Sequence, residues 1–378
     1  MALLLLCTMV LLLAYIYFGY PLLMLTLAAV RPRPIRKHPF SPTVSVIVTA
    51  YNERPSIERK IRNVLQSDYR ANLVEVIVAS DASDDGTDDV VIAMAHPLIK
   101  LLRVEGRKGK TACQNAAAAA ASGDILVFTD ATTDLDPSAL RALAGSFSDS
   151  SVGCVAGRLV YTPMGGDVTA RGGTSYWNYE SILRAAESAV GSLIGVSGCL
   201  YAVRRHAYRA IDPGLISDFV IAMVVREQGL RTVLEPTALC YEATLERPDQ
   251  ELAMRVRVGL RSLCALSMQR RFLNPLRFGM FAWQLWSHKL LRYLSPVIWG
   301  MALLANLALA AEGRYVWLLS LQLAVLAAGL LGFVSVRVFA KSGVLAQPYY
   351  FLLTNLASAV SLFRFLRGER IVTWTPVR

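Results

Sequence analysis

Short, largely apolar runs recur through the first part of the chain, and most of them stop at acidic or hydroxyl side chains. Residues 43–49 run into Ala50-Tyr-Asn-Glu53, residues 73–79 into Ser80-Asp-Ala-Ser-Asp-Asp-Gly-Thr87, and residues 125–129 into Thr129-Asp130. β-rich runs bounded in this way predict buried strands. A shorter strand is predicted over 99–104. Between the strands the pattern predicts helices over 56–66, from Thr87 to about 95, and from Lys110 through the alanines 116–121. Strands alternating with helices predict an α/β fold with a doubly wound, mostly parallel sheet. In such sheets ligands bind beyond the carboxyl ends of the strands, where these acids fall.

The pattern is more mixed further on. Residues 153–161 and 231–235 read as strands, and 174–190 as a helix. Residues 194–205 read as a glycine loop entering a strand. Residues 215–226 form an apolar helix with Ser217 or Asp218 as its cap. The helix predicted over 250–266 carries Arg255, Arg257 and Arg261, with at least two of the guanidiniums near one face.

Both ends of the chain are strongly apolar. Residues 2–30 carry no charge and are long enough for one membrane-spanning helix of the roughly 20 residues required. The segment lacks the basic start and cleavage site of a secretory leader, so it reads as an anchor. Residues 272–293 mix Trp283, Trp286, His288, Lys289 and Arg292 with aliphatics, as in a helix lying in the membrane interface. Residues 294–311 and 316–338 are spanning candidates. Residues 345–363 are a third, weakened by Gln347, Pro348 and Asn355, and are either a span or a re-entrant or interfacial segment. The expected organisation is an N-terminal membrane helix (1–30), a basic linker (31–42), a catalytic domain (43–271), an amphipathic helix (272–293) and a C-terminal membrane module (294–378).

Composition agrees. The chain has 378 residues, 54% of them hydrophobic. The net charge of +11 does not read as a nucleic-acid footprint. Arg31, Arg33, Arg36 and Lys37 follow the first apolar segment, and Arg364, Arg367 and Arg370 follow the last. That distribution marks loops kept on the cytoplasmic side against anionic lipid, hence a multi-pass protein of the inner (plasma) membrane. The six cysteines have no paired spacing, which suits a reducing compartment and excludes a zinc site or disulfide framework.

Acids at strand ends, a Gly109-Lys110 turn, a glycine loop, an acid at a helix start and an arginine cluster together suit a nucleoside diphosphate. One carboxylate can hold a ribose or a divalent ion, cations can neutralise a leaving diphosphate, and another carboxylate can deprotonate a hydroxyl. No GxxxxGK[ST] or GxGxxG loop is present, which argues against an ATPase or a dehydrogenase.

These pieces, taken in order, resemble a membrane-bound family 2 glycosyltransferase of the GT-A fold (Rossmann-like, mostly parallel sheet), of the kind found in bacterial exopolysaccharide and envelope-glycan synthesis. Val44–Glu53 resembles the opening strand and nucleotide loop, which implies donor contacts at Ala50, Asn52 and Glu53. Asp81 resembles the acid that contacts uracil. Gly109-Lys110 with Asn115 resembles the GK…N segment. Phe128-Thr-Asp-Ala-Thr-Thr133 falls on the DxD metal motif, with Asp130 as metal and donor ligand. Ser197-Gly198-Cys199 resembles the acceptor-side glycine loop. Asp218 falls on the catalytic base, and Arg255 and Arg257 on a diphosphate or acceptor role.

Three positions depart from the family pattern. Thr132 replaces the second DxD acid, leaving at most a weak metal ligand there, and Ser217 replaces the usual Glu before the base. Met254, Arg257 and Val258 stand where processive synthases carry QxxRW, so only the arginine remains.

The resemblance implies an inverting hexosyl- or N-acetylhexosaminyltransferase. It would use a UDP-sugar, a divalent cation (Mn or Mg) and a lipid-linked or growing glycan acceptor, with polysaccharide-assembly proteins as possible partners. A processive β-linked polysaccharide synthase and a catalytically weak nucleotide-sugar-binding assembly subunit are the alternatives.

Overall fold

A computed structural model of the chain describes residues 1–162, 168–243, 248–338 and 346–373. The chain divides into two compact units: 30–162, 184–243 and 371–378 form the sheet unit, and 1–29, 163–183 and 244–370 form the helical unit.

The sheet unit is built on eight strands: β1 (Val44–Ala50), β2 (Val74–Ser80), β3 (Ile99–Arg103), β4 (Ile125–Asp130), β5 (Asp134–Leu135), β6 (Val152–Thr162), β7 (Leu200–Arg204) and β8 (Arg231–Ala243). Their order across the sheet is β3-β2-β1-β4-β7-β6-β8-β5. The first four are parallel, as their continuous apolar runs predict. Every residue of β1 is buried, Ser45 and Thr49 included, as in a strand covered on both faces.

The second half of the sheet departs from the expected parallel pattern. β7 is antiparallel to β4 and to β6, and β5 is antiparallel to β8, whereas β6 and β8 are parallel. The antiparallel β7 has a consequence for the site. A strand entering the sheet in reverse beside β4 begins where β4 ends, with Leu200 opposite Thr129. The glycine loop before β7 therefore sits at the carboxyl end of β4. β8 also runs to Ala243, well past the predicted stop at 235, because Pro236 lies at a register shift and pairing with β6 resumes beyond it.

Three helices of this unit matter below: α1 (Ile57–Leu65), α2 (Lys110–Ala120) and α3 (Ser217–Glu227). α3 differs from expectation at its start. Ile216 occupies the capping position without a side-chain cap, and Asp218 lies in the first turn.

In the helical unit, Ala2–Val30 is one apolar helix long enough to cross a membrane. The predicted interface helix is not a separate element. A short helix, Pro275–Phe278, ends at Gly279, whose φ of +52° breaks the helical path. From Met280 a continuous helix runs to Ala311 and forms the second candidate span. Pro348–Leu366, the segment weakened by polar residues in the sequence, is the third. Its predicted start at 345 lies outside the described residues. Pro348 falls in the first turn of the helix Ala346–Leu366, where its missing N–H costs nothing. The helix Val316–Val338 has a shorter described apolar stretch, Val316–Leu331. Leu6 packs against Ala302, Ala305 and Leu309, and the two small alanines let the N-terminal helix approach closely.

Candidate functional site

The carboxyl edge of the parallel half is aligned to within a residue. Thr49 pairs with Asp130 and Ala50 with Ser80. The two loops leaving β1 and β2 are stitched together there. Asn52, held at a φ of +54°, donates through Nδ2 to Asp84 (2.7 Å) and accepts from the Asp84 N–H (3.0 Å). The Glu53 N–H donates to Thr87 Oγ1 (2.9 Å), and Ser56 Oγ donates to the Glu53 carboxylate (2.7 Å). Ala50 is fully buried and accepts from the Asp81 N–H through its carbonyl (2.9 Å). The Arg107 guanidinium lies 3.7 Å from the centroid of the Tyr51 ring.

Asp81 is fully buried. Its carboxylate accepts from the backbone N–H of Lys108 (2.7 Å) and of Gly109 (3.0 and 3.1 Å). In this conformation it fastens the turn that opens α2, rather than presenting oxygens to a nucleobase. Gly109 is required there twice over: its φ is +91°, and a Cβ would stand 2.6 Å from the Val372 carbonyl oxygen.

Lys110 is the centre of the cluster. Its ammonium pairs with Asp130 Oδ1 and reaches the Gly198 carbonyl at 3.5 Å. Burial works against the charged amine, but the carboxylates of Asp130 and Asp218 outweigh it and raise its pKa. Gly198 lies against the same two groups. A Cβ there would meet Asp218 Oδ2 at 2.9 Å and Lys110 Nζ at 3.3 Å. The Asp218 backbone carbonyl accepts from the Val196 N–H (2.9 Å), which ties the glycine loop to the start of α3. Asp130, Lys110, Gly198 and Asp218 are therefore one constellation. Asn115, by contrast, bonds to Ile211 and Tyr208 and has a structural part.

Arg255 and Arg257 belong to the helical unit. There Arg255 Nε donates to Glu251 Oε1 (2.8 Å), and its guanidinium lies over the Tyr350 ring at 4.7 Å. Thr132 is exposed on the Asp130 turn.

Two site residues escaped the sequence reading. Glu242, half-buried near the end of β8, accepts from Cys199 Sγ at 3.4 Å. Burial, and then the charge of Asp130, push its carboxyl up to about 7. The strand had been read as ending at Glu235, so Glu242 fell outside any motif. Lys60 on α1 is fully buried beneath the Asp130 turn, and burial lowers its pKa to about 8. A signal for it existed. It stands on the buried stripe of Ile57, Ile61 and Val64, where a lysine needs a partner.

Residues 45–211 match the sequence profile of Glycosyl transferase family 2. The chain is 26% identical over 274 residues to the N-acetylglucosaminyltransferase of Rhizobium sp. (strain N33), a match covering 63% of this chain and 60% of that protein. It is 24% identical over 268 residues to the poly-beta-1,6-N-acetyl-D-glucosamine synthase of Staphylococcus aureus (strain COL), covering 66% and 64% respectively. The chain thus spans less than two thirds of the length of these curated relatives. Among solved structures it is similar to the mannosyltransferase PcManGT from Pyrobaculum calidifontis, determined in complex with GDP-Man and Mn²⁺. The TM-score is 0.73 and the identity 25%, covering 97% of this chain and 99% of that one.

Proposed function

Because the chain carries a glycosyltransferase family 2 domain on a GT-A fold, we propose that it transfers a sugar from a nucleoside diphosphate donor to an acceptor hydroxyl with inversion. The observation that carries this reading is the convergence on Lys110, whose ammonium faces Asp130 on one side and Asp218 on the other. Asp130 marks the donor side and Asp218 the acceptor side. The acceptor hydroxyl gives its proton to the Asp218 carboxylate while its oxygen bonds to the anomeric carbon. The bond from that carbon to the diphosphate oxygen breaks, and the electron pair leaves with the diphosphate. Lys110 supplies positive charge where the leaving group develops its negative charge.

The oxygens at the site suit a hard divalent cation. Asp130 and Glu242 offer carboxyls and Thr132 a hydroxyl, and substrate phosphates complete such shells. Among the described residues no group of three His, Cys, Asp or Glu side chains could hold a metal on its own, so the ion would arrive with the diphosphate. When bound, it would neutralise charge on the departing diphosphate.

UDP is the favoured nucleotide. A lipid-linked or growing glycan in polysaccharide synthesis is the favoured acceptor, reached at the inner membrane from a cytoplasmic sheet unit. The similarity to the N-acetylglucosaminyltransferase and to the poly-N-acetylglucosamine synthase supports that direction. The same synthase favours a second reading, processive polymer synthesis, against which stands the loss of two of the three QxxRW residues.

The test is UDP release by the full chain in nanodiscs with native lipid. A panel of UDP-sugars is assayed with Mn²⁺, Mg²⁺ or chelator, and the products are sized. Cation-dependent release with one sugar and a single addition supports the proposal. A polymer ladder supports the synthase, and saturable UDP binding without turnover on any sugar supports a binding subunit instead.

A further inference from the structure

We propose that Lys60 is a positioning residue that holds the donor turn and the acceptor-side glycine loop in register from beneath the site. This rests on the reading of Asp130 and the glycine loop given above.

The Lys60 ammonium donates to Thr129 Oγ1 (2.9 Å), to the Thr133 carbonyl (2.6 Å) and, at 3.5 Å, to Thr133 Oγ1. Lys60 and Thr133 are fully buried, and Thr129 is 1% exposed. An ammonium has three N–H donors and no acceptor. Both threonine oxygens therefore accept from it, and they also share a hydrogen bond with each other (3.1 Å). Thr133 Oγ1 donates to the Asp130 carbonyl (3.1 Å), closing the turn that carries the donor-side acid. Thr129 Oγ1 donates to the Cys199 carbonyl (2.9 Å), in the loop that carries Gly198. One buried charge thus anchors two hydroxyls, each within hydrogen-bond reach of a carbonyl in one half of the site. α1 reinforces the donor side one turn on, where Asn63 Nδ2 donates to the Leu135 carbonyl (2.9 Å) and Asn63 Oδ1 accepts from its N–H (2.7 Å).

A packing role alone would not select lysine here. A buried charge is expensive to desolvate, and an apolar residue of similar length is often as stable or more so. The lowered pKa registers that cost.

The test compares wild type with Lys60→Met as full chains in nanodiscs, by melting, by amide hydrogen exchange, and by binding of UDP with Mn²⁺. The expected variant melts within a few degrees of wild type. It exchanges at least about tenfold faster at 129–135 and 197–200, and nowhere else in the sheet unit. Its UDP affinity in Mn²⁺ is weakened roughly 10–100-fold, the range for residues that orient ligands from behind. Unchanged exchange at the two segments, or faster exchange spread through the unit with a lowered melting temperature, overturns the proposal. If wild type binds no UDP, the functional reading fails, while the exchange data still decide on Lys60. If Lys60→Met does not fold, Thr129→Val decides. It removes the hydroxyl but keeps the branched shape, and faster exchange at 197–200 is expected, whereas none overturns the inference.

Discussion

The two halves of the sheet differ in how they deliver residues to the site. In the parallel half, β3-β2-β1-β4, each strand ends in its own functional loop, so Asn52, Asp81 and Asp130 follow directly from strand boundaries. In the mixed half, β7-β6-β8-β5, the residues that matter lie before a strand (Gly198), at the far end of a long one (Glu242), or on a helix between strands (Asp218). Only the antiparallel insertion of β7 beside β4 brings the two sets together. The residues proposed for the donor side are thus written locally in the chain, and those proposed for the acceptor side are written in topology.

That contrast predicts where substitutions hurt and how. Asp130→Asn should have the largest effect, a loss of turnover of about 10²–10³-fold with weakened UDP binding in Mn²⁺, because it removes the acid facing both Lys110 and the diphosphate. Parallel UDP-release and calorimetric titrations check this, and an unaffected UDP affinity would place the acid off the donor side. Gly198→Ala should cost about tenfold in turnover with little change in UDP affinity. Its methyl stands 2.9 Å from Asp218 Oδ2, and a displaced catalytic group loses rate before it loses donor binding. An equal loss of UDP affinity would assign the glycine loop to the donor instead.

Without the cation, Glu242→Gln should change how stability depends on pH. A carboxyl raised from 4.5 to about 7 in the fold binds more protons folded than unfolded between those values. Its favourable contribution is present below pH 4.5 and lost as pH rises through 7. With chelator present, wild type should therefore lose stability between pH 5 and 8 relative to the variant. The difference is on the order of 1–3 kcal/mol, read from chemical denaturation at each pH. Parallel curves would mean that the Glu242 carboxyl is not held in a buried site beside Asp130.

The same contrast explains what could be read from the chain alone. The parallel strands, the first-half acids and the N-terminal apolar helix were legible because each is a local pattern. Asp218 was legible through the family resemblance, not its surroundings, and only the fold shows it in the first turn of its helix and beside Gly198. Glu242 was hidden because the apolar run reads as closing at 235, whereas β8 resumes after a register shift. Lys60 was visible as a lysine on an apolar helical stripe, but its purpose needed the Thr129–Thr133 segment above it. In the helical unit, Gln347, Pro348 and Asn355 weaken by sequence a segment that the fold keeps as one helix. The interface helix was drawn to 293 because composition cannot locate the break at Gly279.

The central claim is that one centre joins a donor-side acid and an acceptor-side base. It is tested most directly by Asp218→Asn in two assays on the same preparation, binding of UDP with Mn²⁺ and release of UDP from the sugar donor found to react. The account predicts wild-type binding with turnover lowered about 10²–10⁴-fold, the contribution of a general base. Turnover at the wild-type rate would contradict it.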